Sequence, residues 1–217
     1  MALTLYTYYR SSAAYRVRIA LHLKGVAAAQ AFVHLVKDGG QQKAEAFRRI
    51  NPNATVPALD LGDGSQAIVQ SLAIIEYLEE TVPEPSLLPG DAAHRARIRA
   101  AAQVIACDIH PVNNSRVGAY LKGELGHTQD EVIAWMHHWM RGGLEAYQAL
   151  LPAGGRFSFG DTPTLADLCL VPQLYNLRRW GAPRAGLERL FEIEAACLAL
   201  TAFDAARPET QPDFEPG

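Results

Sequence analysis

Along the first eighty residues the apolar positions switch repeatedly between two spacings, one suited to strands and one to helices. Leu3-Thr4-Leu5-Tyr6-Thr7-Tyr8 is rich in β-branched and aromatic residues and reads as a strand. From Ser12 towards Gly25 a helix follows, with Val17 and Leu21 at helical spacing and Arg16, Arg18 and His22 between them. Ala31-Phe32-Val33-His34-Leu35 is a second strand candidate, Lys37-Asp38-Gly39-Gly40-Gln41-Gln42 a loop, and residues 44–50 a short helix. Two apolar runs, 55–60 and 66–70, flank Gly62-Asp63-Gly64 and predict a hairpin. Ser71 then opens an amphipathic helix through Glu80, with Glu76, Glu79 and Glu80 on its wet face. The order βαβαββα specifies a small sheet packed by helices.

Val82-Pro83-Glu84-Pro85-Ser86-Leu87-Leu88-Pro89-Gly90 holds three prolines in nine residues and cannot continue a helix. Beyond it the spacing is helical almost throughout: 92–108 continuing to about Leu121, 129–151, 165–180 and 187–203. Thr164 and Asp167 stand as cap and third helical residue, the pattern of a capping box. The last residues, from Arg207, are proline-rich and predict an extended surface tail. The expected organisation is an α/β domain over 1–82, a linker over 83–90 and an all-α domain over 91–217.

The composition removes several classes of function. The 217 residues are 49% hydrophobic and 20% charged with a formal net charge of −3, as in an ordinary globular chain. No block of Lys and Arg offers the concentrated positive surface that nucleic acid requires. No apolar run is long enough to span a bilayer, and the start lacks the grammar of a signal peptide, so a cytoplasmic protein is expected. Cys107, Cys169 and Cys197 are widely spaced and form no C-x-x-C pair, which predicts three small buried thiols.

The strand-to-helix junction at Arg10-Ser11-Ser12 is the chemically suggestive point. A helix start offers unpaired N–H groups, two hydroxyls and the positive end of a dipole, and Arg10 adds a full charge. An anion can be held there, and a thiol's pKa lowered. Taken alone, the two serines read equally well as a simple helix cap.

Further motifs narrow the choice. Arg10-Ser11-Ser12-x-x-Tyr15-Arg16-Val17-Arg18-Ile19-Ala20-Leu21, the 37–42 loop, Asn51-Pro52, Val56-Pro57, residues 70–80 and Ala166-Asp167-Leu168-Cys169-Leu170-Val171-Pro172-Gln173 occur in one order. Together they resemble the zeta class of cytosolic glutathione transferases, over nearly the whole chain to Gln211-Pro212-Asp213. The resemblance implies an α/β thioredoxin-like N-terminal domain followed by an all-α C-terminal domain, a homodimer, and glutathione as cofactor without a metal. It also implies isomerisation of a maleyl dicarboxylate to its fumaryl isomer, with maleylacetoacetate and maleylpyruvate both open as substrates. One departure is plain: the class signature usually reads Ser-Ser-Cys, and here the third position is Ala13.

By this resemblance Ser11 is the principal partner of the glutathione thiolate, Ser12 the second, and Arg10 a source of positive charge. Gln42, Val56, Pro57, Gln70 and Ser71 would bind glutathione, as would His110 and Asn114. Arg10, Arg116 and Arg179 would meet the substrate carboxylates, since a guanidinium fork matches a carboxylate in bidentate fashion. The blander reading of Arg178 and Arg179 is charge at a helix C-terminus. Displacement of halide from α-halo acids and a non-catalytic interaction protein remain as alternatives. His137 and His138 are adjacent on a helix and point about 100° apart, a poor chelate. Trp135, Trp139 and Trp180 read as core or interface aromatics.

Overall fold

The structure is a computed structural model and describes residues 2–216. Its contacts divide the chain into two units, Met1–Ser86 with Leu198–Gly217, and Leu87–Cys197. The first unit holds a four-stranded sheet in the order β2-β1-β3-β4. β1 (Thr4–Thr7) runs parallel to β2 (Ala29–Phe32) and antiparallel to β3 (Ala58–Asp60), which pairs antiparallel with β4 (Ile68–Val69). Registers such as Leu5 opposite Gln30 and Leu5 opposite Leu59 place β1 in the middle. Period-two alternation then sorts its side chains: Leu5 and Thr7 are buried on one face, and Tyr6 meets Phe47 on the other at 5.9 Å between ring centroids.

Phe47 belongs to α2 (Glu45–Ile50), whereas α1 (Ser12–Leu23) packs against α3 (Ser71–Thr81) and α9 (Thr201–Ala205). Every residue of α1 from Ala14 to Leu21 is buried, arginines included. Arg18 meets carbonyl and hydroxyl acceptors, and Arg16 Nη1 donates to the Ser71 hydroxyl, so charge can enter the interior. Glu79 is likewise not simply wetted: its carboxylate is 2.5 Å from the buried Lys24 ammonium.

The second unit contains α4 (Ala92–Gln103), α5 (Ser115–Gly123), α6 (Gln129–Leu150), α7 (Leu165–Arg179) and α8 (Glu188–Leu198). The continuous helix expected over 92–121 is interrupted. A π-helical stretch, Val104–Ile109, widens the end of α4, and Pro111, which lacks an N–H, stands in the break before Asn114 starts α5. Gly143 on α6 receives this stretch, because a Cβ there would stand 2.2 Å from Ile109. The helix expected over 187–203 also divides, into α8 and α9.

Other expectations shift. β2 begins two residues earlier than the 31–35 reading and stops at Phe32. Residues 198–217, placed by the sequence with the helices, group with the sheet unit. The tail is not a loose extended strand: Pro208–Thr210 forms a 3-10 turn, and Pro208 and Gln211 are buried. Cys169 and Cys197 are buried thiols, but Cys107 is exposed on the widened turn. Trp139 is exposed rather than core.

Candidate active site

The site grows from the turn between β1 and α1. Ser11 is the N-cap of α1, with extended backbone, and its Oγ accepts from the Ala14 N–H at 3.2 Å. Its hydroxyl hydrogen remains available to donate. Ser12 is the first helical residue, and no acidic side chain lies in the first turn. The first turn itself therefore brings no anion to the positive helix end. Both serines are half-buried, so a ligand can reach them.

Arg10 is engaged beside them. Its Nη2 donates to Tyr8 Oη at 3.0 Å, and its guanidinium lies 5.4 Å from the Tyr9 ring centroid. Burial pushes the Tyr8 phenol up to about 12, although Arg10 pulls the other way, so Tyr8 is a neutral phenol in the neutral range. Beneath the turn lies Arg18, buried, whose Nε donates to Ala206 O, Nη1 to Thr7 Oγ1 and Tyr8 O, and Nη2 to Tyr9 O. A buried guanidinium is tolerable only when its donors are satisfied, and these acceptors fix the backbone that leads into Ser11.

A second helix start in this unit has the same open character. α3 begins after Gln70, which sits at φ +73° and makes no side-chain cap, and its first turn also lacks an acid. Ser71, buried at this point, accepts from Arg16 Nη1 at 3.3 Å. An oxygen that accepts from a cation is left to donate its own proton elsewhere, which suits a carboxylate. The Val56–Pro57 bond is cis, and both residues are buried at the head of β3. Gln42 Nε2 donates to Leu35 O at 3.3 Å, while its Oε1 is buried with no protein donor. Gly40, at φ +100°, makes room for that amide; a Cβ there would come within 2.7 Å of it.

The remaining candidates lie in the helical unit. His110 follows the π-helical stretch and is half-buried. Asn114 is the N-cap of α5, its Oδ1 accepting from the Arg116 N–H at 3.1 Å, and the Arg116 side chain is exposed. Arg178 and Arg179 are both exposed: Arg178 makes a two-pronged pair with the buried Glu194 carboxylate, at 2.5 and 2.8 Å, and the Arg179 guanidinium lies 5.5 Å from the Trp180 ring centroid. His137 Nε2 lies 2.7 Å from Trp180 O, and the His138 ring packs edge-on to Trp139.

The sequence alone marks no role for Arg16, Arg18 or Tyr8, and marks the residues from Arg207 only as an extended surface tail. Asp213 Oδ2 accepts from the Tyr9 N–H at 2.9 Å, Tyr9 Oη donates to Glu215 O at 3.0 Å, and Phe214 meets the Tyr9 ring at 5.5 Å. The available signal was two arginines inside an otherwise apolar helix; their acceptors, far away in the sequence, gave none.

A thioredoxin-like sheet unit with two anion-ready helix starts, followed by a helical unit, defines a glutathione-binding protein of the transferase type. The glutathione S-transferase N-terminal domain matches residues 5–86 and the C-terminal domain residues 140–205. The maleylpyruvate isomerase of Ralstonia sp is 47% identical over 212 residues, 96% of this chain and 98% of that protein. A holo structure of maleylpyruvate isomerase, a bacterial zeta-class transferase, matches with a TM-score of 0.93 at 46% identity, covering 98% and 100% of the two chains. The maleylacetoacetate isomerase of Anaeromyxobacter dehalogenans with bound glutathione matches at 0.88 and 42%, covering 99% and 98%. The same protein has been solved with dicarboxyethyl glutathione and citrate, at 0.87 and 41%, covering 99% and 98%. The chain belongs to the glutathione S-transferase family, and within it to the zeta class.

Proposed function

We propose that this chain is a glutathione-dependent cis–trans isomerase of maleyl dicarboxylates, with Ser11 as the residue that activates the thiol. The observation that carries the reading is the N-terminus of α1, capped by a serine and left without an acid. The site residues fit the cofactor: Ser11 and Ser12 offer hydroxyls to a thiolate, and Ser71 on Arg16 offers a donor to the γ-glutamyl carboxylate. Gln42 presents a buried acceptor with no protein donor. Glutathione supplies a nucleophilic sulfur that adds reversibly to a maleyl double bond, which can turn before the sulfur leaves.

The protein's share is positional and electrostatic. The Ser11 hydroxyl donates to the thiolate, and the dipole of α1 and the nearby Arg10 charge favour the ionised sulfur. Arg10 of the sheet unit and Arg116 and Arg179 of the helical unit are the cations this reading assigns to the substrate carboxylates. Arg178, already paired with Glu194, is excluded from that role. Ala13 means that no thiol of the protein stands in the Ser-Ser-x motif, so the sulfur is the cofactor's. The protein acts as a cytoplasmic homodimer with glutathione and a small dicarboxylate as its partners; light scattering giving the mass of one chain would overturn the dimer.

The test is isomerisation of maleylpyruvate and maleylacetoacetate, each with and without glutathione. Conversion only with glutathione is expected, and the larger kcat/KM names the substrate. No conversion of either, with glutathione bound, would overturn the isomerase reading. Replacing Ser11 with Ala is expected to raise the pKa of bound glutathione and to cut kcat about a hundredfold, as losing one transition-state donor does. An unchanged pH–rate profile would overturn the role of Ser11.

A further inference from the structure

The strand-to-helix turn is held by more than its own residues. Tyr9, one residue before Arg10, has its N–H committed to Asp213 Oδ2 at 2.9 Å and its phenol to the Glu215 carbonyl at 3.0 Å. Its carbonyl accepts from Arg18 Nη2 at 3.0 Å, and Arg18 Nε reaches Ala206 O at 3.1 Å. Both polar backbone atoms of Tyr9 are thus bonded to side chains, one of them from the last residues of the chain. Asp213 is only half-buried, yet its second oxygen, Oδ1, is enclosed with no donor among the described residues. A carboxyl oxygen enclosed without a donor is costly, so stability alone does not account for Asp213.

We infer that Asp213 is a positioning residue for glutathione activation: by accepting from the Tyr9 N–H it fixes the turn that aims the Ser11 hydroxyl. The inference rests on the assignment of Ser11 above. What the turn needs is an acceptor at that point in space, because the carboxylate takes up a backbone N–H, and among the described residues no ion pair to Asp213 accompanies it. A misplacement of the donor by about 1 Å is enough to lower a rate by orders of magnitude, so a small slackening matters.

Asp213→Ala and Asp213→Asn in the full-length protein, with Ser11→Ala in parallel, test this. The readouts are kcat and KM for maleylpyruvate and the pKa of bound glutathione, followed by thiolate absorbance. For Asp213→Ala kcat is expected to fall about tenfold with KM within about twofold, and the thiol pKa to rise by about one unit. Asp213→Asn, whose amide oxygen still accepts, is expected to restore kcat to within about threefold of wild type. Should Asp213→Ala fail to fold, Asp213→Glu displaces the acceptor by one methylene and is expected to lose kcat with its melting point retained. Wild-type kcat and thiol pKa in Asp213→Ala, or equal loss in Asp213→Ala and Asp213→Asn, would overturn the positioning role. A shifted thiol pKa in Ser11→Ala alone would remove this inference and leave the Ser11 assignment standing. No shift in Ser11→Ala would remove both.

Discussion

The N-termini of α1 and α7 begin alike and end as opposites. Each has a hydroxyl residue as its cap, Ser11 or Thr164, and each third helical position packs into a core. At α7 that third residue is Asp167, whose Oδ2 accepts from the Thr164 N–H at 2.8 Å and hydroxyl at 3.0 Å, while Oδ1 accepts from the Ser158 N–H at 2.8 Å. At α1 it is Ala14, which brings no charge. One helix start carries its own carboxyl group; the other has none in its first turn. The lesson is that a cap motif alone does not mark a site: what matters is whether the first turn already contains a carboxylate.

The sharpest way to break this contrast is to give α1 an acid. Ala13→Asp, at the half-buried second helical position, is expected to raise the pKa of bound glutathione by about one unit or more and to cut kcat/KM at least about a hundredfold. The melting temperature should hold or rise slightly, since an acid near a helix start is stabilising. Activity retained in Ala13→Asp would mean that the dipole end does not serve the thiolate.

The reciprocal change removes the acid from α7. Asp167→Ala leaves the buried Ser158 and Thr164 N–H groups without acceptors and is expected to cost about 2–4 kcal/mol in chemical denaturation. The folded fraction should keep wild-type kcat, because no reacting group is touched. Burial holds the Asp167 carboxyl above the ordinary range, against the opposing bonds from Ser158 and Thr164. The sign follows: with the folded value raised, this ionisation makes stability fall as pH rises from the usual carboxylate range through the folded value, and Asp167→Asn should flatten that slope.

Smaller still is the acid response of the tail. The Lys37 hydrogen bond holds Glu215 below the ordinary carboxylate range, helped by the charge of Lys37 and by His34. Its folded value is depressed, so the tether is present above the usual carboxylate range and is lost as pH falls through that depressed value. Faster proteolysis of the tail at acid pH, abolished in Glu215→Gln, is the expected result; equal rates in both proteins would contradict it.

These contrasts show what was legible in the sequence and why. The βαβαββα order, the hairpin around Gly62–Gly64 and the capping box at Thr164 are local patterns, and each was readable in a short window. Ser11 as a cap was equally local. The π-helical widening after α4 was not, because it answers to Gly143 on another helix. Nor were the burials of Arg16 and Arg18, whose acceptors Ser71 and Ala206 lie 55 and 188 residues away. In the candidate site the hydroxyls announced themselves, while the groups that hold them did not.

The grouping of Leu198–Gly217 with the sheet unit has a consequence for how the protein is made. As the chain leaves the ribosome, residues 1–86 emerge with Arg18 still lacking the Ala206 carbonyl and Tyr9 still lacking Asp213. The helical unit can emerge whole and pack before either partner exists. The sheet unit is thus completed only once residues synthesised after the whole helical unit are in place.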